Sequence, residues 1–275
     1  MLEIKTINIS QSLIKELRKE NFCPKRIEAS YILGMEGYTT DNQLKGNYFE
    51  YKTLESPDKF GKIPELPKLK NGSTSAEEIR ILEQVEAFNK HKDNEKFKID
   101  ILAKNISLAV NYKDVTLTGR LDFIGKIHYK QTNKIANLIG DLKLTGEFQS
   151  YGDFSWNRPE FMDHTQAIMY QFLVNNYLKD DTINDINKLL DKNLETHFIY
   201  FVYDYSTKKQ YSFIKVLYSS MREAELKEDI RKTQIAMLEM QEQGYPYNPS
   251  YDDCKKCPLK YSCTERQTIK DIKEI

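Results

Sequence analysis

The feature that most constrains the fold is an alternation of apolar and polar residues between about residue 97 and residue 145. It runs through three consecutive segments, FKIDILAKNISLAV, VTLTGRLDFIGKIHY and IANLIGDLKL. Successive side chains of a β-strand point to opposite faces, so a period of two is typical of strands. Because short polar connections separate the segments, the sequence predicts a meander of three strands.

Helical patterns precede this meander. A first helix is predicted through SLIKELRKE, with Ser10 or Ser12 as its cap, and it ends near Cys23. A second helix is predicted from Ser75, which forms a capping box with Glu78 ahead of apolar residues at helical spacing. Residues 51–74 between them contain three prolines and no sustained period, and they predict a long loop.

The pattern after the meander is helix, strands, helix. The stretch NRPEFMDHTQAIMYQFLVNNYL predicts a helix with Pro159 near its first turn. A hairpin is predicted from THFIYFVYDYS and KQYSFIKVLYS, and a last long helix from residues 219–243. Strands between helical segments favour an α/β fold, with a central mixed sheet flanked by helices.

Composition excludes few functions. The 275 residues include 41 Lys and Arg against 41 Asp and Glu, so the net charge names no partner and does not exclude nucleic acid. We find neither a membrane-length apolar run nor a signal-peptide pattern, and we expect an intracellular, cytoplasmic protein that binds no membrane. In a reducing compartment, its four cysteines are more plausible as metal ligands or buried thiols than as disulfides.

Charged residues interrupt the third predicted strand in IANLIGDLKL. Asp141 and Lys143 are two residues apart and share one face, while Leu142 and Leu144 point into the core. The preceding strand places Asp122 at the equivalent polar parity. We therefore expect Asp122, Asp141 and Lys143 to converge.

Two carboxylates beside a lysine suit the hard cations Mg²⁺ and Mn²⁺, which keep open positions for water and a phosphate. The lysine can orient or help deprotonate the attacking water, and its charge steadies the negative charge that develops on phosphorus. Metal-assisted phosphodiester hydrolysis is the resulting hypothesis. An exposed Asp–Lys ion pair on a solvated strand is the alternative, and the apolar flanks and the acidic strand upstream weigh against it.

Three further polar residues are candidates for the same site. Gln166 and Tyr170 lie four residues apart on one predicted helical face, where an amide and a phenol could hold the substrate backbone or the catalytic water. Glu50, at the start of the predicted long loop, could be a third acidic ligand, although a solvated glutamate is the commoner reading.

The four cysteines form a separate motif. Cys254, Cys257 and Cys263 follow a C-x2-C-x5-C spacing near one end of the chain, and Cys23 lies near the other. Four thiolates accept either zinc or an iron–sulfur cluster, so the ligand set alone does not choose between them. One remote cysteine with a compact triplet leans toward a [4Fe–4S] cluster, predicted to be structural and to join the two ends of the chain.

In this order, the motifs NFCPKR, GNYFE, GRLDFIG, GDLK, QAIMY and CKKCPLKYSC resemble the PD-(D/E)XK nuclease superfamily. The resemblance spans nearly the whole chain. It is strongest to RecB-like exonucleases with an iron–sulfur cluster, a group that includes the nuclease domain of AddB and the nucleases of CRISPR adaptation.

The resemblance implies a role for each candidate. Asp122 and Asp141 would bind Mg²⁺ or Mn²⁺, Lys143 would serve the water, and Gln166 and Tyr170 would contact the substrate. Glu50 stands where RecB-like members commonly carry histidine, so its role as a ligand is less secure. The cysteine motifs would bind the [4Fe–4S] cluster, which makes iron the expected metal rather than zinc.

The sequence thus predicts one restriction-endonuclease-like nuclease domain over residues 1–275. It would comprise a helical part (1–95), a catalytic sheet core (96–218) and a C-terminal helix with the cysteine segment (219–275). The expected reaction is metal-dependent cleavage of DNA from an accessible end, with recombination, repair or CRISPR-adaptation proteins as partners. An endonuclease of the same superfamily and a non-catalytic DNA-binding subunit that carries zinc or a cluster are the alternatives.

Overall fold

The computed structural model describes residues 7–59, 61–148, 156, 158–179, 185–248, 254–255 and 257–263. The chain divides into two compact units. The first unit comprises Met1–Thr40, Asn111–Thr118 and Ala224–Ile275, and the second comprises Asp41–Val110 and Gly119–Glu223.

A mixed sheet of six strands is the centre of the fold. Its strands are β1 (Ile7–Ser10), β2 (Phe97–Tyr112), β3 (Val115–Tyr129), β4 (Lys134–Thr145), β5 (Thr196–Asp204) and β6 (Tyr211–Val216). The order is β1-β3-β4-β5-β6, with β2 also paired to β3. Pairing is parallel for β1 with β3 and for β4 with β5, and antiparallel for β3 with β4 and for β5 with β6. The predicted meander, hairpin and mixed sheet are confirmed.

Seven α-helices lie in the described residues. They are α1 (Gln11–Leu17), α2 (Pro24–Ile27), α3 (Asp41–Leu54), α4 (Ala76–His91), α5 (Thr165–Lys179), α6 (Asp185–Leu189) and α7 (Ser220–Glu242). None of the described helices is long and apolar enough to cross a membrane.

In the second unit, helices cover both faces of the sheet. On one face, α3 and α4 bury Phe49 and Phe88 against the apolar side chains of β3, β4 and β5, such as Phe123 and Phe201. On the other face, α5 packs its Tyr170 ring against Phe198 of β5. Because both faces are covered, β5 is buried along almost its whole length, as is typical of a sheet between two helical layers.

The first unit is built from residues distant in sequence. Ile7 to Ser10 pair in parallel with Val115 to Thr118, at the start of β3. Ser10 caps α1, because its hydroxyl accepts a hydrogen bond from the Leu13 amide. The predicted stripe of α7 is confirmed, since Leu226, Ile230, Met237 and Met240 are all buried.

Three predicted boundaries are wrong. Helix α3, which the sequence pattern missed, continues to Leu54, so the loop begins later than residue 51 and Glu50 lies on a helix. Helix α5 begins at Thr165 rather than near residue 157, because Asp163 accepts a hydrogen bond from the Thr165 amide and Pro159 starts a separate 3-10 turn. Cys23 precedes the first residue of α2 instead of ending α1.

Candidate active site

Asp141 and Lys143 lie on β4, on the face opposite the α3–α4 layer. Lys143 Nζ is 2.5 Å from Asp141 Oδ2, and the carboxylate is almost fully buried while 30 % of the lysine side chain is exposed. Leu142, between them, belongs to the core under α3 and α4, as predicted. The Asp–Lys pair is therefore not the exposed ion pair of the alternative reading.

Asp122 reaches the same place from β3. The pairing of β3 with β4 ends at Phe123 with Gly140. Beyond that pair, the Asp122 carboxylate accepts a hydrogen bond of 2.6 Å from the Leu142 amide. At this point a hydrogen bond to a side chain replaces the backbone hydrogen bonds between β3 and β4. It fixes the Asp122 carboxylate beside Asp141.

Gly140 makes this arrangement possible. A Cβ atom at Gly140 would lie 1.9 Å from the Phe123 ring, far inside the contact distance of real Cβ atoms. The ring crosses β4 over the glycine, directly before Asp141. Only glycine fits here, because the limit is the space above the strand and not the backbone angle.

Gln166 and Tyr170 come from α5. The Gln166 amide donates a 2.7 Å hydrogen bond to Asp141 Oδ1, and its side chain is also hydrogen-bonded to Tyr170. The helix approaches closely because residue 119 is glycine: a Cβ atom there would lie 2.7 Å from Leu173 and 3.0 Å from the Tyr170 ring. Asp141 is therefore held by Lys143 on one oxygen and by Gln166 on the other.

Glu50 of α3 lies within electrostatic reach of the site. Burial raises its pKa, and the Arg120 guanidinium opposes that rise, whereas the Asp141 carboxylate adds to it. Arg120 in turn donates to the Pro57 carbonyl at 3.0 Å and to the Asn105 side chain. Glu50 is thus an electrostatic neighbour of the other carboxylates, but no hydrogen bond joins it to them among the described residues.

The titrating groups show an excess of negative charge. Burial raises the pKa of Asp122 well above its usual range, and the Asp141 and Glu50 carboxylates raise it further. Burial lowers the pKa of Lys143, but the Asp141 and Asp122 carboxylates outweigh burial and the net pKa is raised. Lys143 is therefore an ammonium ion, and Lys143 with Arg120 supplies two positive charges against the three carboxylates.

A divalent cation fits this donor set. Hard carboxylate oxygens suit Mg²⁺ and Mn²⁺, which often take one or two protein carboxylates and complete their shell with water and phosphate. Asp122 and Asp141 supply such a pair, and a cation would relieve the repulsion that raises the pKa of Asp122. Within the described ranges, however, no three His, Cys, Asp or Glu side chains are grouped as a metal site. Glu50 as a third ligand therefore stays a prediction, supported by its electrostatic effect on Asp122.

The four cysteines lie in the first unit and none forms a disulfide. Burial raises the pKa of the Cys257 thiol, and Cys23 and Cys254 raise it further, so these three lie near one another. The fold thus brings Cys23 to the C-terminal cysteines, although no three of the described thiols are close enough to count as a metal-ligand group. The Cys263 amide donates to the Leu259 carbonyl, which closes a turn.

Two residues next to the site were not singled out from the sequence. Tyr200 of β5 pairs in register with Asp141, and its ring lies 5.8 Å from Lys143 Nζ. Arg120 is two residues before Asp122 on β3 and lies near Glu50. The alternation of β3 places Arg120 on the same face as Asp122 and could have indicated it as a site residue. No local signal marks Tyr200 within the continuous apolar run of β5.

Comparison with known proteins agrees with this fold. A solved structure described as a "Putative exonuclease", from Eubacterium rectale, is similar to the chain over 90% of its length and 86% of that protein's, with a TM-score of 0.54 and 15% sequence identity. At that identity the similarity shows the fold alone. A search of curated proteins finds no match.

The family comparison covers both groups of candidate residues. The model of the PD-(D/E)XK nuclease superfamily matches residues 19–264, most of the chain, from before Cys23 to just after Cys263. The match therefore includes all six candidate active-site residues and all four cysteines. This chain belongs to the PD-(D/E)XK nuclease superfamily.

Proposed function

We propose that the protein is an Mg²⁺- or Mn²⁺-dependent deoxyribonuclease that degrades DNA from an end, as RecB-like exonucleases do. The observation that carries the proposal is the fixed position of Asp141, which is held by Lys143 and Gln166 beside the second carboxylate, Asp122. Family membership supports nuclease chemistry. The description of the Eubacterium rectale protein is consistent with the exonuclease assignment.

In this proposal, Asp122 and Asp141 hold the cation, and Glu50 is the third acidic ligand. When bound, the cation polarises a phosphate oxygen and activates the attacking water. Lys143 is protonated because of its raised pKa, so we assign it to orienting the water and stabilising negative charge on phosphorus rather than to removing a proton.

The α5 residues complete the division of roles. Gln166 orients Asp141 through its amide hydrogen bond. Burial and the Asp141 and Asp122 carboxylates raise the pKa of Tyr170, so its phenol stays neutral and can donate a hydrogen bond to a phosphate oxygen.

A nuclease assay on linear and circular DNA with Mg²⁺ or Mn²⁺ tests the proposal. The wild type should degrade linear DNA, and Asp141→Asn and Lys143→Met should each lose at least about 100-fold in rate, because both remove charge from the reacting centre. A matched control exists on β2, where Lys98 and Asp100 are also two residues apart and ion-paired at 3.2 Å, but are exposed. Lys98→Met and Asp100→Asn should retain wild-type activity.

The substrates separate the alternatives. Cleavage of circular DNA would replace the exonuclease assignment with an endonuclease. DNA binding without any cleavage, by a folded protein with either metal, would instead indicate a non-catalytic DNA-binding subunit. Full activity in both Asp141→Asn and Lys143→Met would contradict the site itself.

We also propose that Cys23, Cys254, Cys257 and Cys263 bind a structural [4Fe–4S] cluster. The support is that Cys23 and Cys254 add to the rise in the pKa of the buried Cys257 thiol, which indicates that the remote cysteine lies near the triplet, and that thiolates are the ligands such clusters use. Protein purified without oxygen should show visible absorbance and about four iron atoms per chain. Stoichiometric zinc without iron would replace the cluster with a zinc site.

A further inference from the structure

Tyr200 of β5 is an aromatic neighbour of the proposed site. It pairs in register with Asp141 in the parallel β4–β5 ladder, so its side chain lies on the same sheet face as the Asp141 carboxylate. The ring is 2 % exposed, and Lys143 Nζ lies over it at 5.8 Å from the centroid. The ammonium of Lys143 is thus in contact with a carboxylate and with the face of an aromatic ring.

Neighbouring rings hold Tyr200 in this orientation. The Phe198 ring meets it edge to face, with centroids 4.7 Å apart, and the Trp156 ring does so at 5.9 Å. Edge-to-face packing of this kind is favourable because it brings the positive edge of one ring to the negative face of another. The ring of Tyr200 is therefore not free to turn away from Lys143.

The ring of Tyr200, rather than its hydroxyl, makes the relevant contact. In the described part of the chain, the Tyr200 hydroxyl donates no hydrogen bond. A tyrosine phenol is uncharged near neutral pH, so it adds no negative charge beside the ammonium. What remains is the electron-rich ring face, which attracts a cation.

We propose that Tyr200 is a positioning residue for Lys143, whose ammonium it holds beside Asp141 through the face of its ring. The consequence for the reaction rests on the proposed function of Lys143, whereas the contact between ring and ammonium does not. Long lysine side chains have many rotamers, so a second contact besides the Asp141 ion pair restricts the ammonium to one place. Misplacing a catalytic group by about 1 Å can cost as much as 100-fold in rate.

The test varies the ring without changing its shape. Tyr200→Phe keeps the ring and should retain wild-type kcat and KM. Replacing Tyr200 by 3,4,5-trifluorophenylalanine keeps a ring of nearly the same size but removes the negative charge of its face. This variant should lose about 10-fold or more in kcat with little change in KM. Tyr200→Leu should behave like the fluorinated protein.

A control on the same strand separates positioning from packing. Tyr203 is fully buried but belongs to the opposite face, in the core with Phe49 and Phe88. Tyr203→Leu removes a similar ring without touching Lys143, so it should lower the melting temperature while leaving kcat per folded molecule unchanged. If Tyr203→Leu lowered kcat as much as Tyr200→Leu, the effect would be one of general packing and the proposal would be wrong.

A stability cycle gives a readout that does not depend on activity. Fluorination of the ring at position 200 should lower the melting temperature when position 143 is lysine, and this loss should disappear in Lys143→Met. An equal loss in both backgrounds, or a fluorinated protein as active and stable as Tyr200→Phe, would overturn the inference. If Lys143→Met were active, and fluorination still lowered the melting temperature only when position 143 is lysine, the proposed function would be contradicted but the ring contact would stand.

Discussion

Replacing Gly140, which precedes Asp141, by alanine should lower both the stability and the nuclease activity of the protein. The added Cβ would lie 1.9, 2.3 and 2.4 Å from three ring carbons of Phe123. Ordinary contacts begin at 3.4 Å, so the ring or the strand must move by roughly 1.5 Å. The ring has little room to do so, because it is fully buried and lies against Phe88 and Phe201, with centroid distances of 6.1 and 5.6 Å.

The expected cost follows from this crowding. Overpacking a filled core costs about 1–3 kcal/mol, and the rigid ring and its buried neighbours place Gly140→Ala at about 2–3 kcal/mol. In a domain of this size, that lowers the melting temperature by about 5–10 °C. Because residue 140 precedes Asp141, we also expect lower nuclease activity at temperatures where the variant is folded.

Thermal and urea unfolding measure the effect, and the chain offers two controls. Gly46 lies in α3 with open space around the position of its Cβ, so Gly46→Ala should stabilise the protein by about 0.5–1 kcal/mol. In a Phe123→Leu background the ring is gone, so Gly140→Ala should cost far less there than in the wild type.

Two results would refute this reasoning. One is a Gly140→Ala protein that unfolds at the wild-type midpoint. The other is an equal cost in the wild-type and Phe123→Leu backgrounds, since the clash with that ring would then not be the cause.

The remaining predictions concern pH and the cysteines. Burial lowers the pKa of His197, and its Nε2 lies 2.9 Å from Lys215 Nζ. The unfolded chain therefore binds a proton at higher pH than the folded chain does, and stability should fall as pH drops below about 6.5. His197→Asn should flatten this fall in unfolding midpoints between pH 7 and 5, and an unchanged slope would exclude His197 as a cause. Cys254→Ala should lose the proposed cluster and several degrees of melting temperature before it affects the chemistry of the remaining folded protein, whereas normal melting in a metal-free variant would contradict the structural role.

Much of the fold was readable from the sequence because it depends on neighbours in the chain. The alternation in β2, β3 and β4 is a short-range pattern, and so are the Ser75 cap of α4 and the stripe of α7. The Ser75 hydroxyl accepts a hydrogen bond from the Glu78 amide at 3.0 Å, as predicted. The Glu78 carboxylate, however, bonds to Tyr48 and Lys68 instead of closing the box, because tertiary partners compete with the local one.

Elements with weak local patterns were missed. Helix α3 buries Tyr48 and Phe49, and that burial depends on residues far along the chain. Strand β1 is four residues long and exists because β3 lies beside it. The prediction of a single nuclease domain stays a prediction, and each of the two units has its own group of candidate residues.

Local sequence patterns were sufficient to identify the residues that could carry the chemistry, and to assign each to one face of its strand or helix. Parity places Asp122, Asp141 and Lys143 on polar faces, and helical spacing pairs Gln166 with Tyr170. The folded protein was needed to show that these faces meet, that Gln166 donates a hydrogen bond to Asp141, and that Tyr200 lies beneath the lysine. Side-chain direction follows local backbone geometry, whereas convergence depends on strand register and close packing between residues tens of positions apart.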